Sequence, residues 1–235
     1  MDNRFVRASA LLGEDAMNTL AASHVAVFGI GGVGSWCAEA LARSGVGQIT
    51  LIDRDCVSES NINRQLVALD STVGRAKTEV MAERIRDINP DCRINVINGT
   101  YDADHREEFL TRYDYVADCI DLVSCKLDLI CTCLERSIPI ISALGTGNKQ
   151  DPSLLRVSDI SKTENDALAR VVRKELRARG VLHTCVVWSP ELPMEASQLE
   201  TPDPGRRSIP GSLVWVPSSA GLLMCRHIVM NLLKK

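Results

Sequence analysis

Apolar residues recur along this chain in two alternating rhythms. Continuous apolar runs near 24–29, 48–53, 92–98, 114–119 and 138–143 read as strands, and stretches of helical spacing at 33–44, 74–88 and 122–136 separate them. Gly74 opens the second helical stretch and Asn89-Pro90 closes it, both ordinary boundary signals. Strand–helix alternation predicts an α/β fold: a doubly wound, mostly parallel sheet with helices on both faces. Past residue 150 the rhythm loosens into a C-terminal extension with a helix at 166–179, a short apolar run at 184–188 and a final helix near 219–233. Between the last two lies a polar stretch, 189–211, carrying Pro190, Pro193, Pro202, Pro204 and Pro210. It reads as a long surface loop, and loops of that length are often functional.

The turn after the first strand carries the most information. Val25-Ala26-Val27-Phe28 runs into Gly29-Ile30-Gly31-Gly32-Val33-Gly34, then a helical stretch, then Ile49-Thr50-Leu51-Ile52 ending at Asp53. Strand, tight glycine turn, helix, strand and acid is the layout of a Rossmann-like phosphate site. Glycines let the backbone approach a phosphate, and free N–H groups at the helix start face its charge. Asp53 is spaced to accept hydrogen bonds from ribose hydroxyls. Alone, the turn serves nicotinamide and flavin enzymes as well, and glycines also simply permit close helix packing.

Composition narrows the class. With 235 residues, 45% of them hydrophobic, the chain can bury one sizeable core. The absence of a long apolar run or a basic, apolar leader leads us to expect a soluble, cytoplasmic protein with no membrane partner. Nine cysteines, at 37, 56, 92, 119, 125, 131, 133, 185 and 225, are scattered without regular spacing. An odd, irregular set fits reduced thiols better than a disulfide framework. A net charge of −3 excludes a generic nucleic-acid binder, so any RNA contact needs a local basic surface.

Charged residues shift the balance from dinucleotide to triphosphate. Chemistry at the α-phosphate of ATP needs more positive charge than a pyrophosphate does. Arg64 follows the second strand, Lys77 belongs to the next helix, and Asp121 follows the fourth strand in Asp118-Cys119-Ile120-Asp121. Residues at strand C-termini face the ligand crevice of an open parallel sheet. A carboxylate at Asp121 suits magnesium, which takes one or two protein carboxylates plus phosphate oxygens. Taken singly, Arg64 and Lys77 also read as solvated surface charges, and Asp121 as a cap for the following helix.

The segments GIGGVGSW, LIDRDCV, SNINRQ, Gly74-Arg75-Ala76-Lys77 and DCID, with their mutual spacing, resemble the ThiF/MoeB-type adenylyltransferase superfamily that activates ubiquitin-like proteins. The likeness is strong over residues 4–147 and softer beyond. It implies ATP and Mg2+ as cofactors, with Asp53 on the ribose, Asn63, Arg64 and Lys77 on phosphates, and Asp121 on magnesium. Catalytic roles fall to Arg7, Arg64, Lys77 and Asp121. Nucleotide binding falls to Gly29, Gly31, Gly32, Gly34, Asp53, Asp55, Asn61, Asn63, Arg64, Gln65, Lys77 and Asp121. Arg4-Phe5-Val6-Arg7 is similar to an element that reaches into a partner subunit's site, with Arg7 the better match, which implies a homodimer. One domain over 1–235 follows, with 1–150 as nucleotide-binding core and 151–235 as substrate-side extension.

Departures from the superfamily pattern select a branch. Bacterial members that activate sulfur carriers hold structural zinc on two Cys-x-x-Cys pairs, and this chain has no Cys-x-x-Cys, so zinc is not expected. RFVRASALLGEDAMNTL, GVGSWCAEALARSGVG, AERIRDINPDC and GSLVWVPSSAGLLMCRHIV instead resemble the tRNA threonylcarbamoyladenosine dehydratase branch. That likeness implies a tRNA substrate whose threonyl carboxylate is adenylated and then closes a ring with loss of water. Rival readings are adenylation of a sulfur-carrier protein's C-terminal glycine, an NAD-binding oxidoreductase, and a scaffold that docks cysteine-desulfurase or sulfur-acceptor partners. Binding of an alkali-metal ion stays open.

Two further features admit two readings each. Cys185, in His183-Thr184-Cys185-Val186-Val187, is either a covalent acceptor or a small buried residue, with His183 the one adjacent base. His24, His105 and His227 read as structural or exposed. In the helix at 166–179, Arg170, Arg173, Lys174 and Arg177 share one face, opposite Leu168, Val171, Val172 and Leu176. With Arg206, Arg207, Lys234 and Lys235 they form either a phosphate-binding surface or an ordinary solvated face.

Overall fold

The structure, a computed structural model, describes residues 3–197, 199 and 209–234. Two helices, α1 (Val6–Leu12) and α2 (Glu14–Ala22), precede β1 (His24–Phe28), α3 (Gly34–Arg43) and β2 (Gln48–Asp53). Then follow α4 (Lys77–Ile88), β3 (Arg93–Asn98), α5 (Arg106–Phe109), β4 (Tyr115–Asp118), α6 (Val123–Glu135) and β5 (Ile140–Ala143). The extension supplies β6 (Arg156–Asp159), α7 (Ala167–Ala178), β7 (Cys185–Trp188) and α8 (Trp215–Leu232). One seven-stranded sheet results, in the order β3-β2-β1-β4-β5-β7-β6, parallel throughout except for the antiparallel edge strand β6.

Alternate residues of each central strand enter opposite layers. Val25 and Val27 pack with α3, α4 and α8 through Leu41, Met81 and Ile228, while Ala26 and Phe28 pack with α6 and α7 through Ile130 and Val172. Burial on both faces is why these strands read as unbroken apolar runs. Phe28 lies level with Ile52 on one side and Asp118 on the other. The register therefore brings Gly29, Asp53 and Cys119 together at the carboxyl edge of the sheet.

Three expectations need correction. The second predicted helix starts at Lys77 rather than 74; Gly74 sits in the preceding turn, where its N–H bonds Val57 O at 2.8 Å. The last helix starts at Trp215, earlier than expected, because Pro217 in its first turn is compatible with a helix N-terminus. Helices α1 and α2 and strand β6 had no counterpart in the apolar pattern. Pro202, Pro204, Arg206, Arg207 and Lys235 lie outside the described residues. Among the described residues no helix is long and apolar enough to cross a membrane.

Candidate active site

A crevice opens where β1 and β4 lie side by side while their connections lead in opposite directions, the place where open α/β sheets bind ligands. Gly29 ends β1 with a φ of 88°, which side chains resist, and its N–H bonds Ile52 O at 2.7 Å. A Cβ there would lie 2.7 Å from Cys119 O, and one on Gly34 would lie 1.8 Å from Gly29 O, so neither position accommodates a side chain. Asp53 binds the turn from the side. Its Oδ2 accepts from Ile30 N–H at 2.6 Å and its Oδ1 from Asp55 N–H at 2.8 Å.

The segment after β2 folds back over the turn, held by the first turn of α3. Trp36 Nε1 donates to Arg64 O at 3.2 Å, and Ser35 Oγ accepts from Leu66 N–H at 3.2 Å. A Cβ on Gly32 would lie 3.6 Å from Arg64 Cγ and 3.3 Å from Pro217 Cβ, which places the arginine stem and the start of α8 above the turn. Arg64 Nη1 donates to Ser60 O and to Asn63 Oδ1, both at 2.8 Å. Buried Gln65 sets its Nε2 3.9 Å from where a Gly31 Cβ would lie. Its Oε1 is buried and has no hydrogen-bond partner among the described residues. An unpaired buried acceptor costs free energy, and a nucleotide donor group in the crevice would satisfy it. Asn61 is turned to its own loop, where its Oδ1 accepts from Ser58 N–H at 3.2 Å.

Lys77 begins α4 beside the same loop. Its Nζ lies 3.1 Å from Asp55 Oδ2, and its N–H bonds Asp55 O at 3.1 Å. Asp121 stands exposed after β4, and Leu122 rather than Asp121 occupies the N-cap position of α6. Its turn is fixed from beneath by a pair that sequence reasoning missed. Lys126 Nζ meets Asp118 Oδ2 at 2.6 Å with both side chains fully buried, and Asp118 Oδ1 accepts from Ile120 N–H at 3.0 Å. A lone lysine in the first turn of a mostly apolar helix was the available signal. Among the described residues no three His, Cys, Asp or Glu side chains form a metal-holding group. Asp121 alone therefore fits magnesium only with phosphate oxygens completing the shell.

Other expected residues fall elsewhere. Arg7 is exposed on α1, two residues from Phe5, whose ring lies 3.6 Å from where a Gly45 Cβ would be. Gly45 precedes β2, so Arg7 sits at the opposite edge of the sheet and does not join the crevice of its own chain. Cys185 also begins its strand at that far edge. The base beside it is His227, not His183: Cys185 Sγ lies 3.3 Å from His227 Nε2, while the exposed His183 meets Asp159. Burial raises the thiol to about 11 and lowers the imidazole below its usual range, which leaves a neutral pair rather than an activated thiolate. On α7, Arg170, Lys174 and Arg177 are exposed together, but Arg173 turns inward to Thr163 O at 2.6 Å and Val171 faces water. The buried face is Ala169, Val172 and Leu176.

A glycine turn closed by Asp53, with Arg64 and Lys77 beside it at the switch point of a parallel sheet, has the form of a nucleotide-binding α/β enzyme. The sequence model of the ThiF family matches residues 4–190, and the chain belongs to that family. It is 44% identical over 244 residues to the tRNA threonylcarbamoyladenosine dehydratase of Bacillus subtilis (strain 168), covering 100% of this chain and 96% of that one. The enzyme of the same name from Escherichia coli (strain K12) is 47% identical over 176 residues, 74% of this chain and 66% of the relative. The crystal structure of E. coli tRNA N6-threonylcarbamoyladenosine dehydratase, TcdA, in complex with ATP superposes with a TM-score of 0.89 at 39% identity. That match covers 98% of this chain and 94% of the crystallised one.

Proposed function

We propose that this protein dehydrates threonylcarbamoyladenosine in tRNA at the expense of ATP, through an acyl adenylate of the threonyl carboxylate. A carboxylate is a poor acylating agent because its leaving group would be oxide; adenylation makes AMP the leaving group. The carbamoyl nitrogen of the same modification then closes the ring. That second step is intramolecular, so alignment supplies much of its rate and no protein nucleophile is needed. The neutral Cys185–His227 pair at the far edge agrees with this division of labour.

The roles follow position. The glycine turn, with Gly29, Gly31, Gly32 and Gly34, cradles phosphate; Asp53 meets the ribose, and Gln65 presents its unpaired oxygen to the nucleotide. Arg64, held by Asn63, and Lys77, drawn from Asp55 to the phosphates, neutralise the triphosphate as pyrophosphate leaves. Asp121 would hold Mg2+, which supplies further charge neutralisation when bound. Arg7 serves the crevice of a second copy, which makes the working unit a cytoplasmic homodimer. Residues 1–150 form the nucleotide-binding core and 151–235 the substrate side, where the exposed Arg170, Lys174 and Arg177 stripe contacts tRNA phosphates.

The observation that carries this reading is the match along the whole chain to enzymes of that activity, one of them crystallised with ATP. It is tested by incubating the protein with ATP and tRNA bearing the modification, then weighing the released nucleosides. A product lighter by one water, dependent on ATP, is expected. An unchanged nucleoside alongside an adenylated sulfur-carrier protein would overturn the assignment.

A further inference from the structure

The loop after β5, residues 144–150, carries Asn148 with a φ of 57°, a left-handed conformation that asparagine adopts more readily than other side chains. All three polar groups of Asn148 that the fold uses reach one stretch of chain. Its N–H bonds Gly211 O at 2.7 Å, its O accepts from Met194 N–H at 2.8 Å, and its Oδ1 accepts from Gly211 N–H at 2.6 Å. One residue thus fixes the chain at both 194 and 211. The approach is close, since a Cβ on Gly147 would lie 2.7 Å from Pro210 Cβ.

From Gly211 the connection continues into the crevice. Ser212 O accepts from Asn63 Nδ2 at 2.9 Å, and Asn63 Oδ1 in turn accepts from Arg64 Nη1 at 2.8 Å. An amide has one donating and one accepting end. By engaging the donating end, the Ser212 carbonyl turns the accepting end toward the guanidinium.

We infer that Asn148 is a positioning residue for Arg64: it seats Gly211 and Ser212, which orient the Asn63 amide that holds the guanidinium over the glycine turn. The Asn148 hydrogen bonds among the described residues go to Met194 and Gly211, not to a residue placed on the nucleotide. The loop also has independent anchors. Lys149 Nζ donates to Ser189 O at 3.0 Å, and Trp215 Nε1 donates to Gln150 O at 2.7 Å. Loss of the Asn148 side chain therefore leaves the loop attached while loosening the 211–212 seat. Small misplacements of a charge-neutralising group weigh heavily on rate; about 1 Å can cost roughly a hundredfold.

The inference rests on the proposed dehydration, and its test separates the two. Full-length protein is assayed for cyclised nucleoside with ATP and modified tRNA, as wild type, Asn148→Gly, Asn63→Ala and the double variant. Glycine keeps the left-handed backbone and removes only the side chain. Asn148→Gly is expected to lower kcat about tenfold in the wild-type background and by less than about twofold when Asn63 is already alanine. Asn148→Asp, which keeps an accepting oxygen at the same place, is expected to recover most of the rate. If Asn148→Gly does not fold, Asn148→Ser gives the same comparison. An equal loss in both backgrounds, or an aspartate variant as slow as the glycine one, would overturn the inference. A wild-type protein that yields no cyclised product would instead remove the parent reading.

Discussion

Two aspartate–lysine pairs flank the crevice, and water treats them differently. Asp118 and Lys126 meet at 2.6 Å with both side chains at 0% exposure, whereas Asp55 and Lys77 meet at 3.1 Å with the lysine 7% and the aspartate 54% exposed. Neither member of the first pair can leave without stranding an ion in the core, so that pair is a fixed support for the turn behind Gly29. The aspartate of the second pair stays solvated, so the attraction is screened and weak. A phosphate can therefore take over the Lys77 ammonium at small cost. Burial of the carboxylate, rather than residue type, separates the two pairs.

The largest effect is expected at the sealed pair. Lys126→Met leaves Asp118 charged and alone, and should cost about 3–5 kcal/mol in denaturant unfolding. Adding Asp118→Asn should recover part of that loss; a stable Lys126→Met single variant would show that the pair supports nothing. The half-open pair should behave in the opposite way. Lys77→Met should cost less stability than Lys126→Met, because the aspartate it leaves behind stays solvated, yet slow AMP formation roughly a hundredfold to a thousandfold. Equal losses of stability in both variants would erase the distinction.

Away from the crevice the effects shrink. Arg170→Glu with Lys174→Glu should weaken tRNA binding and lower its salt-dependence slope by about 2, with ATP affinity in the absence of tRNA unchanged. An unaltered slope would leave the α7 stripe an ordinary solvated face. The smallest effect belongs to a half-buried histidine, His227. Burial first, then Lys234 and Arg226, hold His227 below 6.5. The unfolded chain therefore takes up this proton before the folded one does. The stabilising contribution is complete above pH 6.5 and is lost as pH falls through the folded value. His227→Gln should move the acid-unfolding midpoint to lower pH; an unshifted midpoint would mean that the ring titrates normally.

The central strands were readable because they are covered on both faces. Val25 to Phe28, Ile49 to Ile52 and Tyr115 to Ala117 are nearly all buried, so their apolar runs are unbroken. Edge strand β6, Arg-Val-Ser-Asp, buries too little to leave a pattern, and α2 buries only Leu20 fully. At the crevice, the glycine turn, Asp53, Arg64 and Lys77 were legible as candidates because nucleotide chemistry demands particular residue types at local spacing. Trp36 and Asn148 were not, since each acts through a contact with a distant segment and its residue type alone signals nothing. His227 escaped for the same reason, lying 42 residues from Cys185 in the chain.

Adenylation leaves a particular by-product, and counting it decides the chemistry. ATP labelled on the adenine is turned over with modified tRNA and the wild-type protein, and the labelled nucleotides are quantified beside the cyclised nucleoside. One AMP for each ring closed is expected, falling away with Arg64→Ala. Ring closure accompanied by ADP, or by no nucleotide product, would mean that the carboxylate is never joined to AMP in this crevice.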